Sequence, residues 1–282
     1  MTDVDVYGPV GAATITGPEA PRVRRRKPWT ARRALTWGVV VLAIVVVVVW
    51  ARAKIDGLSE DTQAANPVMR WEWLFLRDST PGELREALIE HLKLTIIPVG
   101  LGLVIASLLS ALAIRFRWTF TPITAIAGFL YTIPSIALFG ALGSRYTYFT
   151  AAVVALTSYT LLILIRNIVA GIDAVPASVT DAADGLGLSR RRRLVSVELP
   201  LALPVIIAGL RVATVTTIGL VAITGVIQLG GFGALVLDGY QNEFYTRIAV
   251  GSVASIALAV AFDLGLNRLE IVLTPWLRRR AR

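Results

Sequence analysis

No cysteine occurs anywhere in the chain, which excludes a disulfide framework and thiolate ligation of a metal. A single histidine, His91, leaves no basis for a multi-histidine metal centre. Charge is scarce too. Only 17% of residues are Asp, Glu, Lys or Arg, where a soluble domain carries about a quarter. With 55% hydrophobic residues and a mean hydropathy of +0.68, much of the surface must face something apolar. The G-x-x-x-x-G-K-[ST] pattern is missing, so no P-loop holds ATP here. H-E-x-x-H and G-x-S-x-G are missing as well. No catalytic residue, no metal and no cofactor is expected.

What is present is a series of apolar runs. The 282 residues leave room for about five to seven spans of ~20 residues. The runs cover 34–51, 92–114, 120–142, 149–169, 203–229 and 247–273. Residues 1–33 form a basic tail holding Arg22, Arg24, Arg25, Arg26, Lys27, Arg32 and Arg33. The run 34–51 exceeds a usual signal-peptide core and no small-x-small cleavage site precedes Arg52, so it reads as a retained span. Residues 52–90 are rich in acid and read as an external loop. Ser79-Thr80-Pro81-Gly82-Glu83 signals a helix start within it, with proline in the first turn and an acid after it. Alternating sides puts Arg115, Arg117, Arg166, Arg190 to Arg193 and Arg268 inside, with Arg145 and Arg247 outside. That is the positive-inside bias. The expected fold class is an all-α, polytopic bundle of six transmembrane helices in the cell membrane, with both termini cytoplasmic and a short basic tail at 276–282. The net charge of +9 then serves orientation and contact with anionic membrane lipid; nucleic acid is not an expected partner.

Small residues recur every fourth position inside two runs: Gly102, Ala106, Ser110 and Gly251, Ser255, Ala259. Such ridges let helices approach closely in lipid. Pro98, Pro122 and Pro134 favour bends. Carboxylates are absent from the middle of the runs apart from Asp263, which argues against an ion-coupled carrier. Arg211 lies at a comparable depth in the preceding run. A lone charge there costs about 2.5–3.5 kcal/mol, and the second ridge continues to Asp263 at the same interval. Arg211 and Asp263 are therefore expected within salt-bridge reach, as a structural pair. His91 is expected at the membrane interface.

The loop between the fourth and fifth runs is the most informative segment. It reads Asp181-Ala182-Ala183-Asp184-Gly185-Leu186-Gly187, then nine residues, then Val197-Glu198-Leu199-Pro200. This resembles the EAA loop of binding-protein-dependent ABC importer permeases, E-A-A, three residues, G, nine residues, I-x-L-P. Asp181 replaces Glu and Val197 replaces Ile; the spacing is kept throughout. Thr132-Ile133-Pro134-Ser135, Arg166-Asn167, Leu201-Ala202-Leu203-Pro204 and Gly230-Gly231-Phe232-Gly233 resemble the quaternary-amine branch (glycine betaine, choline, osmoprotectants). The resemblance covers about residues 88–275.

The resemblance implies a permease core at 91–275, preceded by one extra span. It implies partners: an ATP-binding subunit, an extracytoplasmic substrate-binding protein and a second permease, identical or sister. Asp181, Ala182, Ala183, Gly187, Val197, Leu199 and Pro200 would form the loop that couples to the ATPase. Ala182 and Ala183 favour a short helix with Asp181 near its positive N-terminal end; Gly187 would close it in a left-handed conformation, and Pro200 would stop or redirect the next helix. Tyr131, Pro134, Ser135 and Tyr159 are expected along the translocation path. The implied cargo is a quaternary-amine osmoprotectant; another small solute such as an amino acid is the alternative.

Overall fold

The computed structural model describes residue 46 and residues 80–227, 229–242 and 244–276. The N-terminal basic tail, the first expected span apart from residue 46, residues 52–79 and the end of the chain lie outside the described residues. Everything described from residue 80 onward is helical or a short connection. The helices are α1 (Thr80–Arg115), α2 (Phe120–Thr132), α3 (Ser135–Gly143), α4 (Tyr148–Asp173), α5 (Ala177–Gly185), α6 (Arg190–Arg193), α7 (Leu199–Val221), α8 (Gly231–Gln241) and α9 (Tyr245–Leu273).

Among the described residues, four rods are long and apolar enough to cross a membrane: α1, α4, the stretch from Arg190 to Ile227, and α9. A fifth crossing needs α2 and α3 together, and they meet at 90°. The run 120–142, expected as one span, is therefore broken. Ile133 adopts an extended ψ of 129°, the region a residue before proline prefers, and Pro134 has no N–H to continue the ladder. By contrast, α1 runs unbroken through Pro98.

The rod from Arg190 corrects another expectation. Helix begins in the loop between the fourth and fifth apolar runs, well before the run at 203. Pro200 does not stop it. Residues Leu194–Glu198 form one wide π turn directly before α7. Pro200, in the first turn of α7, would otherwise clash with the carbonyl four residues back; that position, Ser196, lies in the π turn, where the ladder is already re-registered.

Helix α4 is the hub. It packs against α1, α7, α2 and α3. At one end Leu94, Phe139, Ala152, Ala155, Leu156 and Val221 form one buried cluster. At the other, Ala106, Ala127, Leu164, Ile165, Ile168 and Ala213 form a second. The ridge of Gly102, Ala106 and Ser110 belongs to this packing: Ala106 and Ser110 are fully buried, and Gly102 sits against Thr160 of α4. Several hydroxyls inside the rods bond back along their own helix, as Thr160 to the Thr157 carbonyl (2.7 Å) and Thr217 to the Ala213 carbonyl (2.8 Å). That satisfies them where lipid offers no partner.

The end of the α7 rod is a tight turn, Ala222–Ile227, that crosses the start of α8. The two backbones touch there. A Cβ added to Gly233 would lie 2.0 Å from the Ala222 carbonyl oxygen, and one added to Gly225 would lie 2.4 Å from the Gly233 carbonyl.

Candidate functional site

The loop singled out in the sequence folds as a compact unit. Helix α5 starts at Ala177, after Pro176, and ends at Gly185. Asp181 therefore stands mid-helix, not at the N-terminal end, and the first turn holds no acid. The helix closes with Gly187 at φ 74°. The Leu188 N–H donates to the Ala183 carbonyl (3.2 Å) and the Gly187 N–H to the Asp184 carbonyl (2.9 Å). This pair of bonds is the Schellman closure, which favours glycine at the left-handed position. Ala183 faces inward, 4% exposed, while Asp181, Ala182 and Gly185 are exposed.

Arg193 straps this unit to the foot of α7. It donates to Asp184 of α5, and its Nε donates to Glu198 Oε1 at 2.6 Å. Glu198 is buried, so its charge needs this partner. Of the remaining motif residues, Val197 and Pro200 are half-buried and Leu199 is exposed. The sequence did not distinguish Arg193 from Arg190, Arg191 and Arg192.

The residues expected on the translocation path gather at the break between α2 and α3. The rings of Tyr131 and Tyr159 stand edge to face, 6.0 Å apart. The Tyr159 hydroxyl donates to the Ile133 carbonyl at 2.6 Å, holding the extended residue before Pro134. Ser135 opens α3.

Arg211 of α7 and Asp263 of α9 are brought together in a two-point contact. Asn267 and Glu270, further along the same face of α9, lie 3.5 and 3.8 Å from Nη1 of Arg211. One cation thus meets three polar side chains on a single helical stripe.

At the opposite end of the bundle, Glu90 and His91 of α1 grip the start of α8. Glu90 accepts from the Gly231 N–H (2.9 Å), and His91 Nδ1 accepts from the Phe232 N–H (3.4 Å). Gly230 and Gly231 both have positive φ, 77° and 69°, which turns the α8 N-terminus onto these acceptors. Nε2 of His91 lies 3.2 Å from the Ile218 carbonyl; with Nδ1 accepting, Nε2 carries the proton. His91 is fully buried between α1, α7 and α8. Nearby, Arg247 of α9 pairs with Glu83 (2.5 Å) and with Asp238 of α8.

The sequence pattern of the family described as binding-protein-dependent transport system inner membrane component matches residues 99–279. The osmoprotectant import permease protein OsmW of Salmonella typhimurium is 38% identical over 200 residues, spanning 69% of this chain and 93% of its own length. The choline transport system permease protein OpuBB of Bacillus subtilis is 33% identical over 201 residues, spanning 69% and 90%. In structure, the chain resembles a subunit of the inward-facing MetNI methionine ABC transporter, with a TM-score of 0.62 over 70% of this chain and 99% of that one. At 21% identity this likeness speaks for the fold alone.

Proposed function

The chain belongs to the binding-protein-dependent transport system inner membrane components, and from that premise we propose that it carries a quaternary-amine osmoprotectant such as glycine betaine or choline into the cell. It is a multi-pass inner-membrane permease subunit of an ABC importer. The ATP-binding subunit and the substrate-binding protein are separate chains in this reading, and a second permease, identical or sister, completes the pathway. The cargo reading rests on the relatives, an osmoprotectant and a choline permease.

The observation that carries the coupling role is the α5 unit: a short helix with exposed Asp181 and Ala182, closed at Gly187 and strapped by Arg193 to α7. A push on the outer face of α5 would pass through Arg193 to the foot of α7. From there it would reach α4 by packing and α9 through Arg211 and Asp263. Rocking these rods would open a path past the α2–α3 break, where the exposed ring of Tyr131 would attract a quaternary ammonium. Both termini are cytoplasmic in this reading, and residues 34–51 lie outside the part of the chain that the family pattern matches. Deleting residues 1–51 behind a substitute insertion signal should leave uptake largely intact.

The direct experiment is to purify the tagged chain from its own host, identify what co-purifies, and reconstitute the complex with ATP inside the vesicles. ATP-dependent uptake of labelled glycine betaine or choline is the expected result. Uptake of an amino acid instead, with no quaternary amine moved, would reassign the cargo and leave the permease role standing.

A further inference from the structure

Four arginines from separate parts of the chain converge at the end of the bundle that carries α5. Arg115 ends α1, Arg117 follows it, Arg190 opens α6 and Arg193 closes it. Together with Asp173 and Glu198 they line a cavity of about 410 Å³, within the size range of small-ligand sites. Two of the four are already held. Arg117 donates to both carboxylate oxygens of Asp173, at 2.9 and 2.5 Å. Arg193 is held by Asp184 and Glu198. Among the described residues, Arg115 and Arg190 meet no carboxylate within ion-pair distance. Bringing them to a cavity beside two further guanidiniums raises like-charge repulsion, which an anion between them would relieve.

The chemistry of the lining selects the anion. Guanidinium groups match phosphate oxygens in two-point contacts, and carboxylate partners such as Asp173 fix the fork in advance. The inner wall is aliphatic, with Ile114, Ile172 and Leu194. Phe116 and Trp118 flank the arginines and are 45% and 77% exposed, the placement of aromatic rings at a headgroup layer.

We infer that this cavity, between the Arg115–Arg117 turn, the end of α4 and the α5–α6 segment, is a binding site for a phosphate group. Arg115, which also lies over the Phe116 ring at 5.1 Å, and Arg190 are its ligands without a carboxylate partner; Arg117 and Arg193 frame it. The phosphate comes from an anionic phospholipid headgroup or from free phosphate. An occupant would bridge the end of α1 to the segment that joins α5 and α7.

The test uses the full chain purified in detergent, with phosphatidylglycerol, phosphatidylcholine of the same acyl chains, and inorganic phosphate as probes. Native mass spectrometry counts retained lipid and calorimetry measures phosphate binding. Preferential retention of phosphatidylglycerol, reduced at least about fivefold in R115Q/R190Q, supports the site with lipid as the source. Binding of inorganic phosphate lost in the same variant, without lipid preference, supports it with free phosphate as the source. A control, R191Q/R192Q, removes the same charge from two exposed arginines that do not line the cavity and should retain binding. If R115Q/R190Q fails to fold, R190Q alone serves, since Arg190 is exposed in a four-residue helix. Equal losses in both double variants, or no preference for either probe in the unsubstituted chain, overturn the inference. The readout is binding without transport, so its failure leaves the permease assignment untouched.

Discussion

Arg211 and Asp263 meet across the last two long rods through two parallel bonds, Nε to Oδ1 at 2.8 Å and Nη2 to Oδ2 at 2.9 Å. A two-point contact of this kind fixes the rotation of both helices about their axes, which packing of smooth apolar faces does not. Removing Asp263 leaves Arg211 only its longer contacts to Asn267 and Glu270. Asp263→Asn should lower stability in detergent by about 1–3 kcal/mol. A double-mutant cycle with Arg211→Met should give a coupling energy of about 0.5–3 kcal/mol. A coupling near zero, read from thermal unfolding, would show that the contact pins nothing.

The two alanines of the α5 motif separate docking from folding, because one is exposed and the other buried. Ala182→Glu should leave thermal stability within about 0.5 kcal/mol while abolishing pull-down of the ATP-binding subunit. Ala183→Glu places a carboxylate in a buried site and should also lower stability. Undiminished association and uptake in Ala182→Glu would remove α5 as the docking element.

Arg193 is the mechanical link in this scheme. Arg193→Gln should assemble with the ATP-binding subunit and hydrolyse ATP, yet move cargo roughly tenfold more slowly, since the strap to Asp184 and Glu198 is charge-assisted. Unchanged transport per ATP hydrolysed would show that force passes elsewhere.

His91 holds two backbones with one ring, through Ile218 and Phe232. His91→Leu keeps the bulk but leaves the Phe232 N–H and the Ile218 carbonyl without this partner. The expected cost is about 1–3 kcal/mol for each buried group left unsatisfied, seen as a lower unfolding temperature. No change on heating would mean that these backbone groups find other partners.

The short α5 helix and its closure at Gly187 were legible because their determinants are local. A helix of alanines and a glycine in the left-handed position leave their mark within twenty residues of sequence. Arg211 and Asp263 were legible for a different reason: charge is so rare in the apolar runs that each one present must find a partner. Arg193 was not, since successive helical residues point about 100° apart and four consecutive arginines give no sign of which turns inward. The interior place of His91 was equally hidden. It depends on the arrival of α8 more than a hundred residues later, which no local spacing encodes. The position of Asp181 was misread because the helix gains its first turn from Ala177 and Pro176, outside the motif.

Gly225 and Gly233 give the fold a joint without slack. Backbone lies directly on backbone there, with no side chain whose rotamers could absorb a change in distance. During any alternation between states, the tail of the α7 rod and helix α8 must therefore travel as one body. Glu90 and His91 bind the same body to α1. Whatever bends during a transport cycle must do so elsewhere, and the break at Ile133 and Pro134, secured by one tyrosine hydroxyl, is the more compliant place.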